Sequence, residues 1–83
     1  MEKVLKTLGN RRRLSILAHL KKGNRMTVGE IASTLKISFN ATSQHLLALY
    51  DLDILEKEQR GLEVYYRLGT DHPKIVKEIL SEL

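Results

Sequence analysis

Apolar residues recur at helical spacing along most of this chain, and alternate only between residues 55 and 68. Val4, Leu5 and Leu8 form a short first stripe that ends near Gly9. Leu14, Leu17, Ala18 and Leu20 form a second, with Asn10 placed as its N-cap. Lys21 and Lys22 suit the last turn of that helix, and Gly23 a left-handed terminus. Thr27-Val28-Gly29-Glu30 reads as a capping box, flanked by Met26 and Ile31 as a hydrophobic staple. Ile31, Ala32 and Leu35 then give a third, short helix its buried face. Ser38 caps a fourth helix, running from Phe39 to about Leu52, that buries Thr42, Leu46 and Leu49 with His45 on its flank. Asp53 falls at the left-handed position after it, with Ile54 reaching back to Leu49.

From Leu55 the period becomes two. Leu55–Gln59 and Leu62–Leu68 flank Arg60-Gly61, a hairpin signal, with Leu62, Val64, Tyr66 and Leu68 on one face and Glu63, Tyr65 and Arg67 on the other. Pro73 opens a last helix with Ile75, Val76, Ile79, Leu80 and Leu83 on one broad side. The expected class is mainly α with a small β hairpin, in the order α-α-α-α-β-β-α. That is the layout of a winged helix-turn-helix, which presents one helix to the DNA major groove.

Composition narrows the picture further. A chain of 83 residues makes one small domain. It buries only about 60–65% of the surface its unfolded form exposes, so association is a reasonable expectation. The 42% apolar and 29% charged fractions are those of an ordered globular chain. There is no cysteine, which removes disulfides and thiolate metal sites. No run approaches the roughly 18 apolar residues of a membrane span, and Met1-Glu2-Lys3 opens no long apolar core. A cytoplasmic, nucleoid-associated location is the expectation.

The net charge of +4 is unevenly spread: residues 1–30 carry eight basic and two acidic side chains, residues 51–83 five basic and eight acidic. Such a basic half fits a polyanion such as double-stranded DNA. An enzyme is not expected, because the carboxylates are scattered and no Gly-rich phosphate loop is present. No cofactor or effector signature shows.

The residues also resemble a known family. Leu8-Gly9-Asn10-Arg11-Arg12-Arg13-Leu14-Ser15-Ile16-Leu17 looks like the first-helix signature of the ArsR-type winged-helix repressors. Met26 through Ala32 is similar to the start of their second motif helix, and Leu35 through Leu49 to their recognition helix with its Ser-x-His-Leu core. Gly61 through Val64-Tyr65-Tyr66-Arg67-Leu68 is similar to their returning wing strand. The resemblance implies a homodimeric repressor of a partly palindromic operator, with the terminal helices forming the interface. It does not extend to the sensors. Thr27-Val28-Gly29 stands where metal-sensing members carry cysteine, and Asp71-His72 is followed only by Glu78 and Glu82. No metal is expected. Nor is the second half of the recognition helix basic, being Leu47-Ala48-Leu49-Tyr50-Asp51-Leu52-Asp53.

On a helical wheel Asn40, Ser43 and Gln44 lie opposite the buried stripe, which makes them candidate base readers. The alternative is a plain solvated face. No Lys or Arg occurs between Ile37 and Glu56, so phosphate contacts fall to residues outside that helix. The candidates are Arg11, Arg12, Arg13, Lys36, Ser38, Lys57 and Arg60, with Lys21, Lys22 and Arg25 further possibilities and Arg60 placed for the minor groove. Three arginines in a first helical turn oppose the macrodipole, which calls for an offsetting contact. His45 is expected to be packed or hydrogen-bonded, and His19 and His72 structural or exposed. Val4, Leu5, Leu8, Ile75, Val76, Ile79, Leu80 and Leu83 are the candidate dimer interface in helices at about 1–9 and 72–83; the alternative is that both stripes complete the protomer's own core. A winged helix used for protein–protein contact remains the competing function.

Overall fold

A computed structural model describes residues 1–23 and 25–83 of the chain. The elements run α1 (Glu2–Leu8), α2 (Arg11–Gly23), β1 (Arg25–Thr27), α3 (Val28–Leu35), α4 (Phe39–Tyr50), β2 (Leu55–Arg60), β3 (Glu63–Leu68) and α5 (Lys74–Glu82). This is a mainly helical winged helix-turn-helix, with the helices gathered about α2. Ile16, Leu17 and Leu20 of α2 are buried, as are Ile31 of α3, Leu46 and Leu49 of α4, and Val76 of α5. Burying each such side chain stabilises the fold by about 1.5–3 kcal/mol.

The helix boundaries follow from local chemistry. Asn10 Oδ1 accepts from the backbone N–H groups of Arg12 and Arg13 at 3.0 and 3.1 Å, starting α2. The capping box is complete: Glu30 N–H donates to Thr27 Oγ1 at 3.1 Å, and Thr27 N–H to Glu30 Oε1 at 2.8 Å. Ser38 Oγ accepts from Ala41 N–H at 3.0 Å and starts α4. The buried Thr42 hydroxyl donates back to Ser38 O at 2.8 Å, which satisfies that hydroxyl inside the core.

Two helices end on left-handed residues other than glycine. Lys36 (φ 57°) lets Ile37 N–H reach Ala32 O at 3.1 Å, and Asp53 (φ 60°) lets Ile54 N–H reach Leu49 O, also at 3.1 Å. Both are Schellman turns, the second at the residue where spacing placed it. Gly23 behaves otherwise: α2 continues through it, and its φ is not positive.

The sheet holds one strand more than the hairpin alone. β1 pairs antiparallel with β3 (Arg25↔Arg67, Met26↔Tyr66, Thr27↔Tyr65), giving the order β1-β3-β2. Three residues are too few to show a period of two, and their partner lies some forty residues away. The helix-turn-helix is thereby tied to the wing just before α3 begins.

The wing turn sits one residue later than its dipeptide suggests. Arg60 pairs with Glu63, leaving Gly61-Leu62 as the two-residue loop. Gly61 (φ 63°) takes the first loop position, the arrangement of a type II′ turn. Leu62 is consequently lifted off the inner face and wholly exposed, whereas Val64, Tyr66 and Leu68 pack inward. At the far end of the wing Gly69 N–H donates to Ile54 O at 2.9 Å. A Cβ there would stand 2.8 Å from Asp53 O, so only glycine lets the returning strand close against the end of α4.

Among the described residues, no helix is long and apolar enough to cross a membrane.

Candidate nucleic-acid interface

The outward side of α4 carries the three expected base readers: Asn40 and Gln44 are exposed and Ser43 is half-buried. Thr42, Leu46 and Leu49 on the opposite side are fully buried, so the helix cannot roll to hide its polar face. Its rotation is held by a second device. Arg13 Nε donates to His45 Nδ1 at 3.1 Å, and Arg13 Nη1 donates to Thr7 O at 3.2 Å. One guanidinium thus joins the end of α1, the start of α2 and the middle of α4. His45 is the hydrogen-bonded residue expected of it. Burial, then the charges of Arg13 and Arg12, hold it below its ordinary value of 6.5, keeping Nδ1 an acceptor.

This contact separates the three arginines. Arg13 is turned inward and provides the offsetting interaction that a cation at a helix start requires. Arg11 and Arg12 are exposed, and among the described residues neither has an acidic partner. Lys21 is also engaged, donating to Leu80 O at 2.7 Å and so capping the end of α5. Lys36 is exposed at the left-handed turn before α4.

The wing is neutralised by its own residues. Glu58 accepts from Arg60 Nε at 2.6 Å and from Arg25 Nη1 at 3.5 Å, while Arg67 Nη2 lies 3.1 Å from Glu56. The Arg60 hydrogen bond draws the Glu58 carboxyl below the ordinary carboxylate range, and the Thr70 N–H does the same for Glu56. Lys57 lies over the Tyr50 ring, 4.4 Å from its centroid. Arg25 stands over the Tyr65 ring at 5.1 Å, and the Tyr65 hydroxyl donates to Glu63 at 2.9 Å, which raises its pKa.

Between α4 and the wing runs a groove of about 710 Å³, bordered by Val28, Phe39, Tyr50, Lys57, Leu62 and Tyr66. Neither Phe39 nor Leu62 is among the site residues that the sequence predicts. Phe39 shares the spacing of the buried stripe, yet it is 59% exposed because the first turn of α4 extends past the edge of the core. Nothing in the spacing marks that edge.

The terminal helices divide their apolar residues. Val4, Leu8, Val76 and Leu80 are enclosed by the protomer's own core, so that part of the expected interface is already occupied. Leu5 and Leu83 remain exposed, and Ile75 and Ile79 are half-buried against the core. Among the described residues, no group of three or more histidine and acidic side chains is placed to hold a metal.

The fold is that of a winged helix-turn-helix regulator. Residues 10–57 match the family described as bacterial regulatory protein, arsR family. Over 80 residues the chain is 36% identical to the transcriptional activator HlyU of Vibrio cholerae, covering 96% of this chain and 73% of that protein. It is 36% identical over 70 residues to the transcriptional repressor SdpR of Bacillus subtilis, covering 84% and 77%. The structure of reduced HlyU from Vibrio cholerae superposes with a TM-score of 0.82 at 33% identity, covering 98% of this chain and 81% of that one. The homodimeric winged helix-turn-helix domain of Mb0332 from Mycobacterium bovis gives 0.80 at 30% identity, covering 98% and 71%. The chain belongs to the ArsR family of transcriptional regulators.

Proposed function

We propose that the protein is a sequence-specific, double-stranded DNA-binding repressor that acts as a homodimer on a partly palindromic operator. In this reading α4 lies in the major groove and the 55–68 wing reaches the adjacent backbone or minor groove. The observation that carries it is the polar face of α4, held outward by the Ser38 cap, the buried Thr42/Leu46/Leu49 stripe and the Arg13–His45 bond. Asn40 and Gln44 amides match the adenine N6/N7 pair, and Ser43 accommodates several base edges. Arg11, Arg12 and Lys36 supply phosphate contacts, as does the Ser38 hydroxyl, whose proton is not used in capping. Arg13 contributes by fixing the helix rather than by touching DNA.

The homodimer is supported by Leu5 on α1 and Leu83 just after α5, both exposed, and by the homodimeric state of the Mb0332 domain. Two-fold symmetry then sets the two α4 helices about 34–36 Å apart, one DNA turn. Repression is supported by the likeness to the transcriptional repressor SdpR.

A second reading, docking of a protein partner, is favoured by the exposed Phe39 and Leu62 beside the groove and by the exposed Leu47 on α4. Selection from a random duplex pool decides between them. Enrichment of a two-fold site, bound with an affinity that falls steeply between roughly 50 and 200 mM salt, supports the repressor. An unenriched pool refutes it.

A further inference from the structure

The one-residue displacement of the wing turn changes what the tip offers. Arg60, read from sequence as the tip residue, ends β2 with its guanidinium folded back on Glu58 at 2.6 Å. Residues 55–68 carry three acidic and three basic side chains, so the wing has no net charge. Arg67 is held by Glu56, and Lys57 lies over Tyr50 below the tip. A wing so neutralised grips phosphate weakly. What protrudes is the isobutyl group of Leu62, exposed to the full extent its residue type allows (101%).

The fold gives Leu62 no task. Its backbone needs no leucine, since the turn is made by Gly61, and its side chain fills no part of the core. It does border the same groove as Phe39, on the side of the recognition helix. An apolar group at the end of a narrow ribbon matches one known use at DNA: entry into the minor groove and insertion between base steps.

We propose that Leu62 is an apolar wedge, through which the wing enters the minor groove and unstacks a flexible pyrimidine–purine step beside the α4 contact. The inference rests on the repressor reading and adds a source of specificity that no base-edge hydrogen bond provides. TA and CA/TG steps are the ones that open easily, so the operator carries one of them under each wing.

The test uses the full chain and a selected duplex with 2-aminopurine placed in turn at each wing-side adenine. Unstacking brightens this probe. Wild-type protein should brighten it at one step per half-site. Leu62→Ala, an exposed change that leaves the fold intact, should bind roughly tenfold more weakly with the probe dark and the salt slope unchanged. Leu62→Arg should bind with the probe dark and a slope steeper by about 0.9. If wild-type protein binds the duplex with every wing-side probe dark, or if Leu62→Ala matches it in affinity and brightness, the wedge is refuted and the repressor reading stands. A wild-type protein that selects no duplex refutes both.

Discussion

Arg13 Nε donates to His45 Nδ1 across 3.1 Å, joining the first turn of α2 to the centre of the helix that presents Asn40, Ser43 and Gln44. The bond needs an unprotonated Nδ1, which makes it sensitive to pH. Burial and the two guanidiniums lower the His45 pKa from 6.5. Above that value both folded and unfolded chains hold a neutral imidazole, so the residue contributes no pH dependence. Below it the unfolded chain takes up the proton first, and stability declines until the folded form protonates as well. Urea midpoints at about pH 7.5 and about pH 5.5 should therefore differ more for wild-type protein than for His45→Gln, which keeps an acceptor but cannot protonate. Equal differences in the two proteins would remove the assignment.

Arg13 and Arg12 are adjacent in sequence and opposite in role. Arg13→Ala strands His45 Nδ1 and Thr7 O, and should cost about 1–2 kcal/mol of folding stability. Arg12→Ala should change stability by less than about 0.5 kcal/mol. Chemical denaturation of the two variants checks this directly.

Asp53 holds a left-handed conformation (φ 60°) just after α4, which puts a negative charge near the negative pole of the helix. Both effects disappear in Asp53→Gly, which should stabilise the protein by roughly 1 kcal/mol. For a domain of this size that raises Tm by about 4–8 °C, readable by calorimetry.

The dimer should depend on the residues the protomer leaves uncovered. Leu5 and Leu83 are 48% and 40% exposed, so a Leu5→Glu/Leu83→Glu double variant keeps its fold. Its elution in sizing chromatography should shift from dimer to monomer. Elution at the dimer position by this folded variant would place the interface elsewhere. Val76→Glu cannot serve this purpose, because Val76 is buried in the protomer and the change would unfold it.

Much of this architecture was legible in the chain because it rests on local chemistry. The Thr27–Glu30 box, the Asn10 and Ser38 caps and the left-handed Asp53 are decided within a few residues. Partners distant in sequence were not legible. β1 exists only because β3 lies beside it. Val4, Leu8, Val76 and Leu80 show the spacing of an apolar side, but spacing does not say whose core that side enters. The wing tip illustrates a true degeneracy. Arg60-Gly61 and Gly61-Leu62 both make acceptable two-residue turns, and only the register against β2 separates them.

The central claim is a division of labour, with bases read from a cation-free α4 and phosphates held from outside it. Asn40→Ala, Gln44→Ala and Arg12→Ala proteins, each run through duplex selection and a salt titration on the enriched site, test it most directly. The first two should lose about 1–3 kcal/mol of preference at A·T positions with the salt slope unchanged. Arg12→Ala should weaken all sequences alike and reduce the slope by about 0.9. Unaltered base preference in both Asn40→Ala and Gln44→Ala would contradict the account.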